Sequence, residues 1–176
     1  MALIIPRAQP NLAKPIIFLD IDGVLNHLNV YDKREPYINR DNMNALNVLL
    51  DETGANLVIS SAWRYLITEK LMTVEGFHHM LVTHGLGYNR HIIGKTVPDG
   101  GEFGQDRGAQ IRNWMETTFR YHLGGPTGTP WVAIDDTEMP TFPAAHVVYT
   151  LPHQGLRSHQ VSEAIEKLKA QGFNTR

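Results

Sequence analysis

Ile16-Ile17-Phe18-Leu19-Asp20-Ile21-Asp22-Gly23-Val24-Leu25-Asn26 is the stretch that decides the fold. Its first part, Ile16–Leu19, is an uninterrupted apolar run that ends in two carboxylates separated by one residue. A short run of this kind is typical of a strand that is buried on both faces of a parallel sheet. Because burying an unpaired charge is costly, Asp20 and Asp22 favour a bound cation or a reaction over a structural role. We therefore expect an enzyme.

The two acids can address a single point. Side chains alternate along a strand, so Asp20 and Asp22 start on the same side, and Gly23 lets the backbone turn sharply out of the sheet. Asp-x-Asp-Gly also opens calcium-binding loops, but the EF-hand glycine is sixth in such a loop, whereas Gly23 is fourth. The twelfth position, normally Glu, is Tyr31. The spacing therefore disfavours a calcium loop.

A second apolar strand, Asn56–Ile59, runs into the hydroxyls of Ser60 and Ser61. A hydroxyl and the backbone amides that follow a strand can bind phosphate oxygens. The alternative is that a serine here only caps the next helix. Trp63 and Arg64 follow closely enough to contact whatever carries the phosphate, although Trp63 fits equally well as a core anchor for that helix.

A third apolar strand, Trp131–Ile134, ends in the adjacent acids Asp135 and Asp136. Two neighbouring carboxylates repel each other unless a cation lies near them. Oxygen ligands of this kind suit a hard divalent ion. The strand therefore predicts a second acidic contribution to the site.

In this order, the three segments resemble motifs of the haloacid dehalogenase (HAD) superfamily, most of whose members are Mg²⁺-dependent phosphatases. The resemblance implies that Asp20 is a nucleophile that forms an aspartyl-phosphate, and that Asp22 is the general acid and base. It implies phosphate binding by Ser60, by amides near Ser61 and by neighbouring side chains. It also implies a Mg²⁺ site, whose ligands would be Asp20, the backbone carbonyl of Asp22 and Asp136, with Asp135 as a further ligand or an acceptor beside them.

The cation of the superfamily's third motif has two candidates. The superfamily places a Lys or Arg near the start of a helix, where it neutralises the nucleophile and a phosphate oxygen. Arg107 fits because Asp106 can cap a helix over Arg107–Tyr121, in which apolar residues recur at helical spacing. Lys95 is the alternative, within a long glycine-rich stretch, Thr83–Gln105, that we expect to be a mobile or ligand-covering loop.

The sequence predicts a single α/β domain. Its 176 residues are 42% hydrophobic, which suffices for one substantial core. Strands that alternate with helices predict a three-layer, Rossmann-like parallel sheet with helices on both faces and the site at the carboxyl ends of the strands. The resemblance implies a HAD fold with a minimal cap or none, over residues 15–176, after an N-terminal extension, residues 1–14. The remaining predicted elements are helices near Asp41–Asp51, Trp63–Met72 and Ser158–Gln171 and a short strand, His146–Tyr149.

The four motifs together are similar to the compact HAD domains of bacterial and phage RNA-repair proteins. The gap between residues 26 and 40 holds only a flap, and the gap between residues 72 and 105 is too short for a full cap domain. An uncovered site admits a large substrate, so we expect the phosphate of a nucleotide or of a nucleic-acid end. A small-metabolite or phosphoprotein phosphatase, and an inactive module that binds phosphorylated ligands, remain alternatives. A receiver domain does not fit, because its acidic pair follows the first strand and its cation comes last.

Several features bound the cellular setting. The chain has no cysteine and no long apolar stretch at its amino terminus, so we expect a cytoplasmic protein with no membrane contact and leave its oligomeric state open. A net charge of -2 gives no global attraction to nucleic acid, so such contact would need a local basic patch such as Lys33, Arg34 and Arg40, which fits a solvated loop face as well. The spacing of the histidines at positions 78, 79, 84 and 91 matches no zinc motif.

Overall fold

The computed structural model describes residues 14–27, 38–96, 106–118, 128–140 and 142–174. Their core is a five-stranded sheet, all of whose neighbouring strands are parallel. The strands are β1 Ile16–Leu19, β2 Asn56–Ile59, β3 Ile92–Lys95, β4 Trp131–Asp135 and β5 Val147–Tyr149. The helices are α1 Arg40–Thr53, α2 Tyr65–Thr68, α3 Val74–Thr83, α4 Arg107–Thr117 and α5 Ser158–Ala170, with short 3-10 turns at Ala62–Arg64 and Ala144–His146. The spatial order of the strands is β3-β2-β1-β4-β5.

Apolar side chains on both faces of the sheet explain the layers. On one face, Ile17 and Leu19 of β1 join a large cluster that includes α1, α3 and α5. On the other face, Ile16 and Phe18 join a smaller cluster with α4. All four side chains are fully buried, and each such burial contributes about 1.5–3 kcal/mol. The predicted three-layer α/β fold with helices on both faces is therefore confirmed.

Helix α1 begins and ends as its sequence indicates. The Asn39 side chain accepts hydrogen bonds from the backbone N–H groups of Asp41 and Asn42, which satisfies two donors of the first turn. Gly54 ends the helix in the left-handed conformation, with φ 60°, and its N–H donates to Leu50 O. Helix α1 thus covers the whole of the predicted helix near Asp41–Asp51.

The predicted helix near Trp63–Met72 is confirmed only as far as Thr68. The segment forms the 3-10 turn Ala62–Arg64 and the single helical turn α2, after which Lys70 has a positive φ of 57°. A residue in that conformation cannot continue a right-handed helix. Thr73 then caps a separate helix, α3, by accepting a hydrogen bond from Gly76 N.

The stretch predicted as a loop over Thr83–Gln105 contains the edge strand β3, which pairs with β2. Its pattern hides the strand, because Gly94 has no side chain and Lys95 ends it. Gly94 packs closely against α4: a Cβ there would lie 3.1 Å from Trp114 Nε1, so the indole would have to shift slightly to admit it. The part of the expected loop at residues 97–105 lies outside the described residues, as do Lys33, Arg34 and residues 1–13 of the expected N-terminal extension. In the part of the chain that is described, no helix is long and apolar enough to span a membrane.

Candidate active site

Strand register places the polar residues of the site in one row across the carboxyl edge of the sheet. Ser60 N donates to Leu19 O over 2.9 Å, and Asp20 N donates to Ile134 O over 3.0 Å. The residues that end or directly follow neighbouring strands therefore lie side by side. In spatial order, this row consists of Thr96, Ser60, Asp20 and Asp135. The sequence prediction of a site at the carboxyl ends of the strands agrees with this geometry.

Three of the predicted acids form a compact cluster. Oxygens of Asp20, Asp135 and Asp136 all lie within 4.8 Å of one another. Asp20 and Asp135 are only 3% and 1% exposed. Burial, followed by repulsion from Asp20, raises the pKa of Asp135 to about 7. Burial likewise raises the pKa of Asp20 and of Asp136.

This donor set fits a hard divalent cation such as Mg²⁺. The available atoms are all carboxylate oxygens, and a cation among them would offset the repulsion and burial that disfavour their charged forms. Among the described residues, no histidine belongs to a group of three or more such potential ligands. The side chains that could hold a metal are therefore Asp20, Asp135 and Asp136.

Arg107 supplies positive charge to the same acids. It is the first residue of α4, whose N-terminus is capped by Asp106 through a 2.9 Å hydrogen bond from Ala109 N. Its Nη1 lies 3.6 Å from Asp20 Oδ1, and its Nε lies 3.6 Å from Asp135 Oδ2. Nη1 also donates to Ser60 O. The guanidinium therefore bridges the ends of three neighbouring strands.

Lys95, the other candidate cation, ends the edge strand β3. Burial, followed by repulsion from Arg64, lowers the pKa of Lys95. Within the described ranges it forms no ion pair with the site acids, whereas Arg107 faces two of them. The geometry thus favours Arg107 as the cation of the site.

The Asp22 carboxylate is held on both oxygens by other side chains. Trp63 Nε1 donates to Oδ2 over 2.9 Å, and Asn26 Nδ2 donates to Oδ1 over 2.7 Å. Asn26 is itself fixed, since its Oδ1 accepts from Gly23 N over 3.0 Å. The Asp22 side chain lies outside the cluster of three acids, so a metal contact from this residue would have to use its backbone carbonyl.

The two serines after β2 have different surroundings. The Ser60 hydroxyl is buried and has no hydrogen-bond partner among the described residues. The Ser61 hydroxyl hydrogen-bonds the Asp20 side chain, which lowers the pKa of that acid against the larger effect of burial. Ser61 Oγ also accepts from Trp63 N over 3.3 Å.

Trp63 and Arg64, which we expected at the substrate, both make contacts within the protein. Trp63 is 6% exposed and belongs to the large core cluster, so it is a core anchor as well as a partner of Asp22. Arg64 is 1% exposed. Its Nη1 donates to Ser61 O over 2.6 Å, and its Nη2 donates to Gln110 Oε1 of α4 over 2.9 Å. Arg64 therefore links the serine segment after β2 to helix α4 through these two hydrogen bonds.

Sequence reasoning missed the residues that brace the turn after β1. Thr150 Oγ1 donates to Gly23 O over 2.8 Å, and Leu156 N donates to Val24 O over 2.8 Å. These partners lie more than 120 positions away in the chain, and no local pattern indicates them. Asn26 could have been found, because a carboxamide four residues after Asp22 can reach back across a tight turn.

The fold and site together define a HAD-type domain: a parallel sheet whose first strand ends in two acids, with a hydroxyl, a cation and an acidic pair around them. A comparison with protein families gives the narrower assignment. The model of the family described as "HAD domain in Swiss Army Knife RNA repair proteins" matches residues 16–161, and the chain belongs to this family. Membership confirms the predicted resemblance and supports a HAD-type hydrolase. Searches of curated proteins and of solved structures found no match to the chain.

Proposed function

We propose that this protein is a Mg²⁺-dependent phosphomonoesterase that acts through an aspartyl-phosphate on the phosphate of a nucleotide or of a nucleic-acid end. The observation that carries the proposal is the setting of Asp20. It lies at the tip of a central strand, with the Arg107 guanidinium 3.6 Å from its Oδ1 and with Ser60, whose hydroxyl has no partner among the described residues, in the next position of the row. A nucleophile, a cation and a free donor are the parts that phosphoryl transfer needs.

Binding of the phosphoryl group follows from these contacts. Ser60 Oγ and backbone amides near Ser61 would donate to its oxygens, and Arg107 would offset the charge of both the phosphate and Asp20. Such donors are held in place before the substrate arrives, because Arg64 fixes the serine segment and Asp106 caps α4. Their reorganisation during the reaction would therefore be small.

Mg²⁺ would be held by carboxylate oxygens of Asp20, Asp135 and Asp136, with the Asp22 backbone carbonyl as a further ligand. When bound, it supplies positive charge that lets an anionic nucleophile approach an anionic phosphate. Two of these ligands are nearly fully buried, so their oxygens are shielded from competing water.

The proposed chemistry proceeds in two displacements on phosphorus. An oxygen of Asp20 attacks, a new P–O bond forms, and the bond to the leaving oxygen breaks as Asp22 gives that oxygen a proton. A water molecule then attacks the phosphorus of the aspartyl-phosphate, the P–O bond to Asp20 breaks, and one proton of the water passes to Asp22. Inorganic phosphate leaves with the oxygen of the water, Asp20 is again a carboxylate, and Asp22 is again protonated.

The course of the chain after the second motif supports a large substrate. The segment in which a cap would be inserted after the second motif instead builds α3 and the edge strand β3 of the core. Within the described residues it therefore offers no separate lid over the row of polar residues. The chain belongs to a family of HAD domains that is described from RNA repair proteins. This description supports a nucleic-acid end as the carrier of the phosphate. A cytoplasmic location stays a prediction from the sequence.

The test is phosphate release with Mg²⁺ from oligoribonucleotides phosphorylated at the 5′ or the 3′ end, from mononucleotides, from sugar phosphates and from a phosphopeptide. We expect the highest kcat/KM with an oligonucleotide or a nucleotide. The Asp20→Asn variant should release no phosphate from any substrate and should form no phosphate adduct on the protein. A preference for sugar phosphates or the phosphopeptide would select the alternative substrates. Binding of phosphorylated oligonucleotides without any turnover would select the inactive module.

A further inference from the structure

The indole of Trp63 and the carboxylate of Asp22 are joined by a direct 2.9 Å hydrogen bond. The two residues are far apart in the chain, at positions 22 and 63, so the bond links the first acidic turn to the segment after β2. A hydrogen bond from a neutral donor to a carboxylate is stronger and shorter than one between neutral groups. The contact is therefore more than a by-product of packing.

Trp63 is well suited to hold a carboxylate in one orientation. Its ring is buried in the large core cluster, and its backbone N–H is bound by Ser61 Oγ, so neither the ring nor the backbone is free to turn. The indole N–H has one fixed direction and can only donate. Asn26 holds the opposite oxygen of Asp22, so the plane of the carboxylate is set from both sides.

We propose that Trp63 is a positioning residue that aims the Asp22 carboxylate at the leaving oxygen of the substrate. The inference rests on the proposed function, in which Asp22 transfers the proton. One short segment contains Trp63, which orients Asp22, and Ser60 and Ser61, which would bind the phosphoryl group. The position of Trp63 is therefore coupled to the positions of the two serines. The distance between proton donor and phosphorus is thereby fixed, and a misplacement of about 1 Å can cost on the order of 10²-fold in rate.

The decisive experiment compares substrates whose leaving groups differ in their need for a proton. 4-Nitrophenyl phosphate releases a stable anion, whereas an alkyl phosphate such as a nucleotide releases an alkoxide that must be protonated. Trp63→Phe keeps the packing of an aromatic ring but removes the donor. We expect turnover of the alkyl phosphate to fall about 10- to 100-fold, the weight of one hydrogen bond to a charged group. The pre-steady-state burst of nitrophenolate, which reports only the first displacement, should stay within about 3-fold of wild type.

Two controls separate positioning from packing. Trp131→Phe makes the same substitution at the amino end of β4, away from the site, and should slow neither substrate. On an Asp22→Asn background, Trp63→Phe should add no further loss with the alkyl phosphate, because residues that act through one another are not additive. If Trp63→Phe slowed the turnover of both substrates equally, or if its effect persisted without the Asp22 carboxylate, the loss would come from altered packing. The inference would then be wrong.

A readout without turnover distinguishes this inference from the proposed function. The chain has three tryptophans, so its indole N–H resonances can be assigned by substitution. In the metal-free protein, Asp22→Asn should shift the Trp63 indole proton upfield and leave those of Trp114 and Trp131 in place. An unmoved Trp63 resonance would overturn the contact itself. Wild-type protein that releases phosphate from neither substrate would overturn the proposed function, and with it the positioning role.

Discussion

Gly23 lies directly against the carboxylate of Asp136: a Cβ added to Gly23 would lie 2.6 Å from the Cγ atom of Asp136. Gly23 also has a positive φ of 69°. The Asp136 side chain therefore fills the space that a side chain at position 23 would need, and it would have to shift to admit one. This contact brings the last acid of the cluster to the first.

Gly23→Ala should consequently lose activity as well as stability. The left-handed backbone costs an alanine about 1–2 kcal/mol, and the new methyl group must push Asp136 away from the cluster. Because misplacing a group at the reacting centre by about 1 Å can cost on the order of 10²-fold, we expect at least that loss in kcat. Phosphate release and the midpoint of urea unfolding measure the two effects.

Gly54→Ala is the matched control. Gly54 has a nearly equal φ of 60°, but a Cβ there would meet nothing within 4 Å. This variant should lose similar stability and keep wild-type turnover. Equal activity in the two variants would mean that the contact between Gly23 and Asp136 has no part in catalysis.

Much of the site could be predicted from the sequence, because its main residues end strands whose apolar runs are unmistakable. Three of the four residues in the polar row follow such runs, and their alignment comes from parallel pairing alone. Thr96 could not be predicted, because Gly94 and Lys95 obscure strand β3. The partners of Trp63 and Arg64 could not be predicted either, since they depend on a 3-10 turn where helical periodicity suggested a longer helix.

A second prediction separates Arg107 from Lys95. Arg107→Ala removes the guanidinium that faces Asp20 and Asp135, so turnover should fall about 10²–10³-fold, the weight of one preorganised donor at developing charge. Lys95→Ala should leave kcat nearly unchanged, and any effect of this substitution should be on KM. Steady-state kinetics of both variants measure these effects. If Lys95→Ala were inactive and Arg107→Ala active, the cation of the third motif would be Lys95 of β3.

A third prediction concerns pH and metal. The pKa of Asp135 is raised from 3.8 to about 7 in the folded protein, so its ionised form disfavours folding. Its contribution to stability is therefore complete below about pH 4 and is lost as the pH rises towards 7. In the metal-free protein this loss amounts to a few kcal/mol at most, since one pKa unit corresponds to about 1.4 kcal/mol.

Urea unfolding of wild type and Asp135→Asn between pH 4 and 8, with EDTA, measures that loss as the difference between the two proteins. The difference removes contributions from groups away from the acid cluster, such as His78, whose pKa burial lowers. Mg²⁺ should stabilise wild type strongly at pH 8 and weakly at pH 5, where protons compete for its ligands. A stabilisation by Mg²⁺ that is unchanged in Asp135→Asn would place the metal elsewhere.

The last prediction tests Arg64 as a clamp instead of a substrate ligand. Arg64→Met has a similar side-chain length but removes the guanidinium that donates to Ser61 O and Gln110 Oε1, while Ser61 O keeps the backbone N–H of residue 64. Each hydrogen bond from a charged donor contributes about 1.5–3 kcal/mol, so the loss of both guanidinium bonds should lower the free energy of unfolding by roughly 2–5 kcal/mol. Arg64→Lys should recover little of it, because an ammonium cannot reach both acceptors as the planar guanidinium does. Arg112→Met, at an exposed position of α4, is the control and should be nearly neutral. If Arg64→Met were as stable as Arg112→Met yet bound phosphorylated oligonucleotides much more weakly, Arg64 would be a substrate ligand after all.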